Sequence, residues 1–281
     1  MAVAEKVVIK VGGEVLAGDQ VRALAGDVRV LSLSARVVLV HGGGPQATDL
    51  QKRLGIEPVQ VGGRRITDAA TLDVMKMVLA GKLNVDFCAA LVENEVKPVG
   101  LHGASGLVVQ ARKRPPRVVT GGGPDPVDFG HVGDVVGFNL GLLEILWAAG
   151  YVPVIACLGA DDKGGIYNIN ADVVANQLAA TLKADHLFLV TSTPGVLRDL
   201  QDPSSRLPSL SVGDARRAIA SGAVTGGMIP KLEEAISVLD QGVGAIHILG
   251  KLASGDLLRA SQEPGAVGTT LRRDLGDRDH G

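Results

Sequence analysis

Val37-Val-Leu-Val-His-Gly-Gly-Gly-Pro45 decides the fold. Four apolar β-formers run into three consecutive glycines and a proline. That order spells a buried strand, a bare-backbone turn, and a helix with Pro45 near its first position. Residues without Cβ let backbone N–H groups approach an anion closely. The helix start behind them adds unpaired N–H groups and the positive end of a dipole. Gly42, Gly43 and Gly44 therefore suit a phosphate or a carboxylate. A tight βα turn that binds nothing is the competing reading.

The same grammar precedes this stretch. Lys6-Val-Val-Ile-Lys-Val11 is a short apolar strand broken by Gly12-Gly13. Lys10 lies inside the apolar run, where a lysine is costly to bury without an anionic partner. In an open α/β sheet the carboxyl ends of strands are also where ligands bind. Two glycine-rich strand ends favour a shared anion site over a lysine that points to solvent.

Outward from these strands the chain alternates. Helices are predicted over residues 21–33, 46–54, 69–94, 139–149 and 173–183, and strands over 36–41, 96–101, 131–136, 151–156, 186–191, 245–249 and 267–271. Residues 107–112 and 117–120 read as a hairpin closed by Lys113-Arg-Pro-Pro116. Ser211 with Asp214 three later is a capping box for a helix to Ala220, and Met228-Ile-Pro-Lys231 opens a helix to Leu239. Such alternation implies an α/β fold on a doubly wound, mainly parallel sheet. A composition shift at residues 160–165 divides it into an N-terminal lobe, residues 1–160, and a C-terminal lobe, residues 161–281. The helix over 69–94 carries more than one apolar stripe, so it is either central or covered by another subunit.

Three polar sites stand out. Gly62-Gly-Arg-Arg-Ile-Thr-Asp68 is a turn ending in an N-cap, Thr67 or Asp68, and its paired arginines suit carboxylate capture as well as a solvated surface. In Ile166-Tyr-Asn-Ile-Asn-Ala-Asp172 an extended backbone turns Asn168, Asn170 and Asp172 to one side. They form either a capping cluster or, through Asp172, a hold on cationic groups near the glycine seat. Lys231 emerges with its helix from the glycine-rich turn at 222–227, a place suited to phosphate.

Composition narrows the function. Of 281 residues, 28 are Lys or Arg and 30 are Asp or Glu, a formal net charge of −2, which argues against nucleic acid or an anionic membrane as partner. Aromatics at 2% leave no stacking platform for single strands. Cys88 and Cys157 lie far apart among apolar neighbours and read as buried thiols. No apolar run approaches the roughly 20 residues of a membrane span, and no signal pattern precedes the first strand, so a cytoplasmic protein is expected. The phosphate loop G-x-x-x-x-G-K-[ST], the dinucleotide fingerprint, the nucleophile elbow and metal-ligand spacings are all absent from the sequence.

Taken in order, Val-Ile-Lys10-Val-Gly-Gly, Val-His-Gly-Gly-Gly-Pro45, Gly-Gly-Arg-Arg65-Ile-Thr-Asp, Asn168-Ile-Asn-Ala-Asp172 and Gly-Gly-Met-Ile-Pro-Lys231 resemble the amino-acid kinase family. The members most similar phosphorylate the γ-carboxylate of N-acetyl-L-glutamate in arginine biosynthesis. The resemblance implies an open three-layer αβα sandwich, with the amino-acid substrate in the N-terminal lobe and ATP, bringing Mg²⁺, in the C-terminal lobe. It implies that Lys10 and Lys231 flank the migrating phosphoryl group and that Asp172 orients both. Gly43 and Gly44 would offer N–H groups to the reacting carboxylate, and Arg65 and Asn168 would hold the α-carboxylate. Gly12, Ser192, Thr193, Pro194, Gly195, Val196 and Leu197, with Ala223, Val224 and Thr225, would line the nucleotide pocket.

Two stretches depart from the family pattern. Thr191-Ser192 stands where Thr-Asp is common before the Pro-Gly turn, and Leu101-His-Gly-Ala-Ser-Gly106 where Leu-Ser-Gly-x-Asp-Gly is common. Only about five residues precede the first strand, so the resemblance implies a homodimer with little inhibition by arginine. A sister kinase for N-acetyl-aminoadipate and an inactive amino-acid or nucleotide sensor stay open as alternatives.

Overall fold

A computed structural model describes residues 4–199, 201–224 and 228–274. The chain begins with β1 (Lys6–Val11), α1 (Gly13–Leu16), α2 (Gln20–Leu31), β2 (Arg36–His41) and α3 (Gly44–Arg53). The short pair β3 (Gln60–Val61) and β4 (Arg64–Arg65) follows, then one long helical run: α4 (Ala69–Met75), a π-helical stretch Lys76–Leu83, and α5 (Asn84–Glu93). Next come β5 (Pro98–Leu101), β6 (Val109–Lys113), β7 (Gly133–Phe138), α6 (Leu140–Ala148), β8 (Val152–Ala156), β9 (Leu158–Ala160) and β10 (Ile166–Asn168). The last part is α7 (Ala171–Leu182), β11 (His186–Thr191), β12 (Ser209–Ser211), α8 (Val212–Ala220), α9 (Met228–Asp240), β13 (Ala245–Gly250), α10 (Asp256–Gln262) and β14 (Thr269–Arg272).

An eight-stranded sheet runs in the order β12-β14-β13-β11-β1-β2-β8-β5, parallel except where β13 meets β14. The expected mainly parallel α/β sheet is thus present, and its ladder continues unbroken across the middle, β1 pairing with β2 on one side and β11 on the other.

Side chains alternate across the sheet and build two core layers. Val7, Ile9 and Val11 join Leu24 and Val28 of α2, Phe87 and Leu91 of α5, and Leu257 of α10. Val8 faces the other way, with Ala47 of α3, Leu143 of α6, Leu178 of α7 and Leu232 of α9. Lys10 shares the parity of Val8, so strand geometry alone aims it at the α7 face. The long helical run contributes to both layers: Val78, Leu79 and Leu83 pack in one and Phe87 and Leu91 in the other. Asp68 caps the run by accepting from the Thr71 N–H at 2.7 Å.

A second sheet, β10-β9-β6-β7, starts just past the carboxyl end of β8. It corrects the predicted hairpin. Residues 109–113 pair with 133–138, not with 117–120. Pro115 and Pro116 have fixed φ and no N–H to close a tight turn. Beyond them Arg117 makes an isolated bridge with Val127 instead.

Candidate active site

The cleft forms where β1 and β2 end side by side. Gly13 approaches Gly43 so closely that a Cβ on Gly13 would lie 2.9 Å from the Gly43 Cα. Gln46, in the first turn of α3, reaches across and donates from Nε2 to the Gly13 carbonyl at 2.6 Å. The two glycine turns are therefore fastened together. Gly43 also has no room for a side chain, since a Cβ there would collide with Leu79 and Leu83. The N–H groups of Gly43 and Gly44 donate to no described residue. They line an open cleft of about 640 Å³.

Lys10 reaches the floor of this cleft and pairs with Asp172 Oδ1 at 2.9 Å, the lysine side chain 13% exposed and the aspartate 42%. Asn170 is the N-cap of α7, accepting the Asp172 N–H at 2.8 Å, and this leaves the Asp172 carboxylate in the first turn. One carboxylate thus answers both the helix dipole and the buried ammonium.

The wall opposite is made of polar side chains from α3, β4 and the second sheet. Arg65 donates to the Gly44 carbonyl at 3.2 Å, to Thr48 Oγ1 at 2.7 Å and to Gln51 Oε1. Burial lowers its pKa. Arg65 thus braces the glycine turn, a task its place in the sequence did not reveal. Asn168 lines the cleft and donates to Thr67 Oγ1 at 3.1 Å. Arg114 and Arg117 line it too; Asp134 pairs with Arg114 at 2.7 Å. Their signal in the sequence is the stretch around Lys113-Arg-Pro-Pro116, whose pattern suggests a hairpin closure with Arg117 opening the return strand. His102-Gly-Ala-Ser105 is a tight turn in which the Ser105 hydroxyl accepts the His102 N–H at 3.2 Å.

On the far side of the Lys10–Asp172 pair lies a recess of about 90 Å³, bounded by Asn176, Leu189, Thr191 and Ile248. Gly12 lines the main cleft. The remaining residues expected at a nucleotide are placed otherwise. Ser192 is exposed just past β11, followed by half-buried Thr193 and Pro194 and buried Gly195. Val196 and Leu197 are buried, with the Val196 N–H given to Thr269 Oγ1 at 2.8 Å. Ala223 is exposed and Val224 buried beyond α8. None of these lines either cavity. Thr225 lies outside the described residues, and so does the Lys231 side chain, although Lys231 itself stands in the first turn of α9.

An ammonium paired to a carboxylate, beside unpaired N–H groups at a helix start, can gather and align anions. No described side chain stands over the glycine turns as an activated nucleophile, so the chemistry suited to the cleft is transfer between bound anions. The sequence from residue 5 to 250 matches the amino acid kinase family. An acetylglutamate kinase of Sorangium cellulosum is 60% identical over 265 residues, which are 94% of this chain and 93% of that one. The solved N-acetylglutamate synthase of Neisseria gonorrhoeae, complexed with coenzyme A and N-acetyl-glutamate, has a TM-score of 0.79 at 26% identity, covering 96% of this chain and 60% of that chain. Carbamate kinase from Giardia lamblia bound to AMP-PNP shares the fold, with a TM-score of 0.66 at 18% identity over 98% of this chain and 100% of that one.

Proposed function

The chain belongs to the amino acid kinase family, and from that premise we propose that it moves the γ-phosphoryl group of ATP onto the γ-carboxylate of N-acetyl-L-glutamate. The product is N-acetyl-L-glutamyl 5-phosphate, as in the second step of arginine biosynthesis. The observation that carries this reading is the Lys10–Asp172 pair set between two glycine turns. A carboxylate oxygen attacks the γ-phosphorus, the bond to the β,γ-bridging oxygen breaks, and ADP leaves. The nucleophile is already ionised at neutral pH, so alignment and charge neutralisation supply the catalysis.

In this reading Lys10 and Lys231 neutralise the migrating group, and Asp172 orients them. Gly43 and Gly44 receive the reacting carboxylate, while Arg65 and Asn168 face the α-carboxylate. The N-terminal lobe, residues 1–160, carries the acyl-amino acid, and residues 161–281 carry ATP along the ends of β11 and β13. The pair joins the two lobes, one member from each. Mg²⁺ arrives on the nucleotide, whose phosphate oxygens are its natural ligands. We also propose a cytoplasmic homodimer that uses the exposed Val85 and Val92 of α5. Light scattering that returned a monomer would remove the dimer.

The test is ADP release from MgATP with N-acetyl-L-glutamate, N-acetyl-L-aminoadipate and L-glutamate in parallel, trapping acyl phosphate with hydroxylamine. Acetylglutamate-dependent ADP and hydroxamate are expected. Turnover only with the longer acid would move the substrate, and silence with all three would overturn the kinase reading.

A further inference from the structure

His41 ends β2 and opens the glycine turn, yet its side chain is wholly buried. Each ring nitrogen meets a group that can play one part only. Nδ1 lies 3.0 Å from the Gly42 carbonyl oxygen, an acceptor, so Nδ1 carries the hydrogen. Nε2 lies 3.0 Å from Asn84 Nδ2, a donor, so Nε2 is bare. The Asn84 amide cannot be reversed, because the same Nδ2 also donates to the Val154 carbonyl at 3.1 Å. Both ends of the chain of hydrogen bonds thus fix the neutral Nδ1–H tautomer. Phe87 packs edge-on to the ring at 6.2 Å between centroids, and burial holds the imidazole down to about 4.

The direction of that hydrogen bond has a consequence one peptide further on. A trans peptide points its C=O and its N–H opposite ways. Drawing the Gly42 carbonyl back to the buried ring turns the Gly43 N–H away from it, toward the cleft that Gly42 and Gly43 line. We infer that His41, locked by Asn84, is a positioning residue that aims the Gly43 N–H at the carboxylate receiving the phosphoryl group. The inference rests on the kinase reading above. The helical run that supplies Asn84 also supplies Leu79 and Leu83, which seat Gly43 from beneath. Gly100 makes room for the latch, since a Cβ there would collide with Asn84 Oδ1.

The experiment compares His41→Asn, His41→Gln and Asn84→Leu in the full chain. Asparagine places an N–H where Nδ1 stood, and glutamine places one where Nε2 stood. We expect His41→Gln and Asn84→Leu to lose roughly 30-fold or more in kcat with KM for ATP nearly unchanged, the scale of a misdirected oxyanion donor. His41→Asn should recover most of that loss. Nitrogen-15 NMR of histidine-labelled wild-type protein should show His41 as the neutral Nδ1–H form from pH 6 to 8. Wild-type kcat in His41→Gln, equal losses in His41→Asn and His41→Gln, or an Nε2–H tautomer would each overturn the inference. A wild-type chain silent with acetylglutamate is a different failure. It would remove the kinase reading, whereas an active wild type with an active His41→Gln removes only the role of His41.

Discussion

Lys10 shows how one side chain can be read twice, first from its neighbours in sequence and then from its neighbours in space. An unpaired ammonium in that apolar face costs several kcal/mol, whereas exposed ion pairs contribute about 0–1 kcal/mol. With Lys10 at 13% exposure and Asp172 at 42%, the pair stands between these limits, and in the proposed kinase reading its main effect falls on the migrating phosphoryl group. Asp172→Asn is therefore expected to lower kcat by about 100-fold or more while thermal unfolding moves by only a few degrees. A turnover within fivefold of wild type would show that the carboxylate is dispensable. Both partners were legible, the lysine as a polar intrusion in an apolar run and the aspartate behind an Asn cap. Gln46 was not, because a glutamine on a helix reads as surface until the opposite turn is placed beside it. Arg65 was half legible: its fork suited a carboxylate, but its contacts to Thr48 and Gln51 depend on how β4 lies against α3.

Elements with local signals were readable at nearly their observed bounds. β2 and β11 carry unbroken apolar runs, β1 carries one interrupted only by Lys10, and α8 begins at a capping box present in full. Where closure is non-local the reading failed. The predicted hairpin around Pro115 could not show that β6 prefers β7, because strand partners are chosen by the sheet and not by the turn. α10 escaped notice for a similar reason. Its N-cap is Gly255 at φ 86°, and the oxygens that satisfy its first N–H groups belong to Asp27 on α2, which accepts from Gly255 at 2.6 Å and Leu257 at 2.8 Å. Asp27 is buried, and that burial raises its pKa despite the two bonds. Asp27→Ala should cost about 2 kcal/mol, the loss of a cap plus two stranded donors. Chemical denaturation would read it, and a change under 0.5 kcal/mol would mean that water replaces the carboxylate freely.

Across the molecule the buried histidines set a limit on acid stability. His41 is held to about 4 and His247 to about 3, chiefly by burial, with His186 and Arg272 acting on His247 in the same direction. His186 is lowered by burial against the opposing pull of Glu5 and Asp185. Unfolded histidines titrate near 6.5, so below that pH the unfolded chain takes up protons that the native chain refuses. Stability is fully present above about pH 6.5 and declines as the pH falls toward the native values, by several kcal/mol in all. Asp27 acts in the opposite sense: burial raises its carboxyl, so its contribution is present at low pH and is lost as the pH rises above the ordinary carboxylate value. Guanidinium midpoints should hold from pH 7.5 to about 6.5 and fall from there to pH 4.5, and a series flat throughout would contradict neutral burial. The sheet that holds these rings has another consequence. β1 lies in the middle of the ladder with no linker on either side. Any opening to exchange ligands would therefore not be the swing of a door on a pin. It would be the flexing of a leaf spring, a change of twist shared among the strands. Stiffness is distributed, and a substitution in any interior strand would tune how fast the products depart.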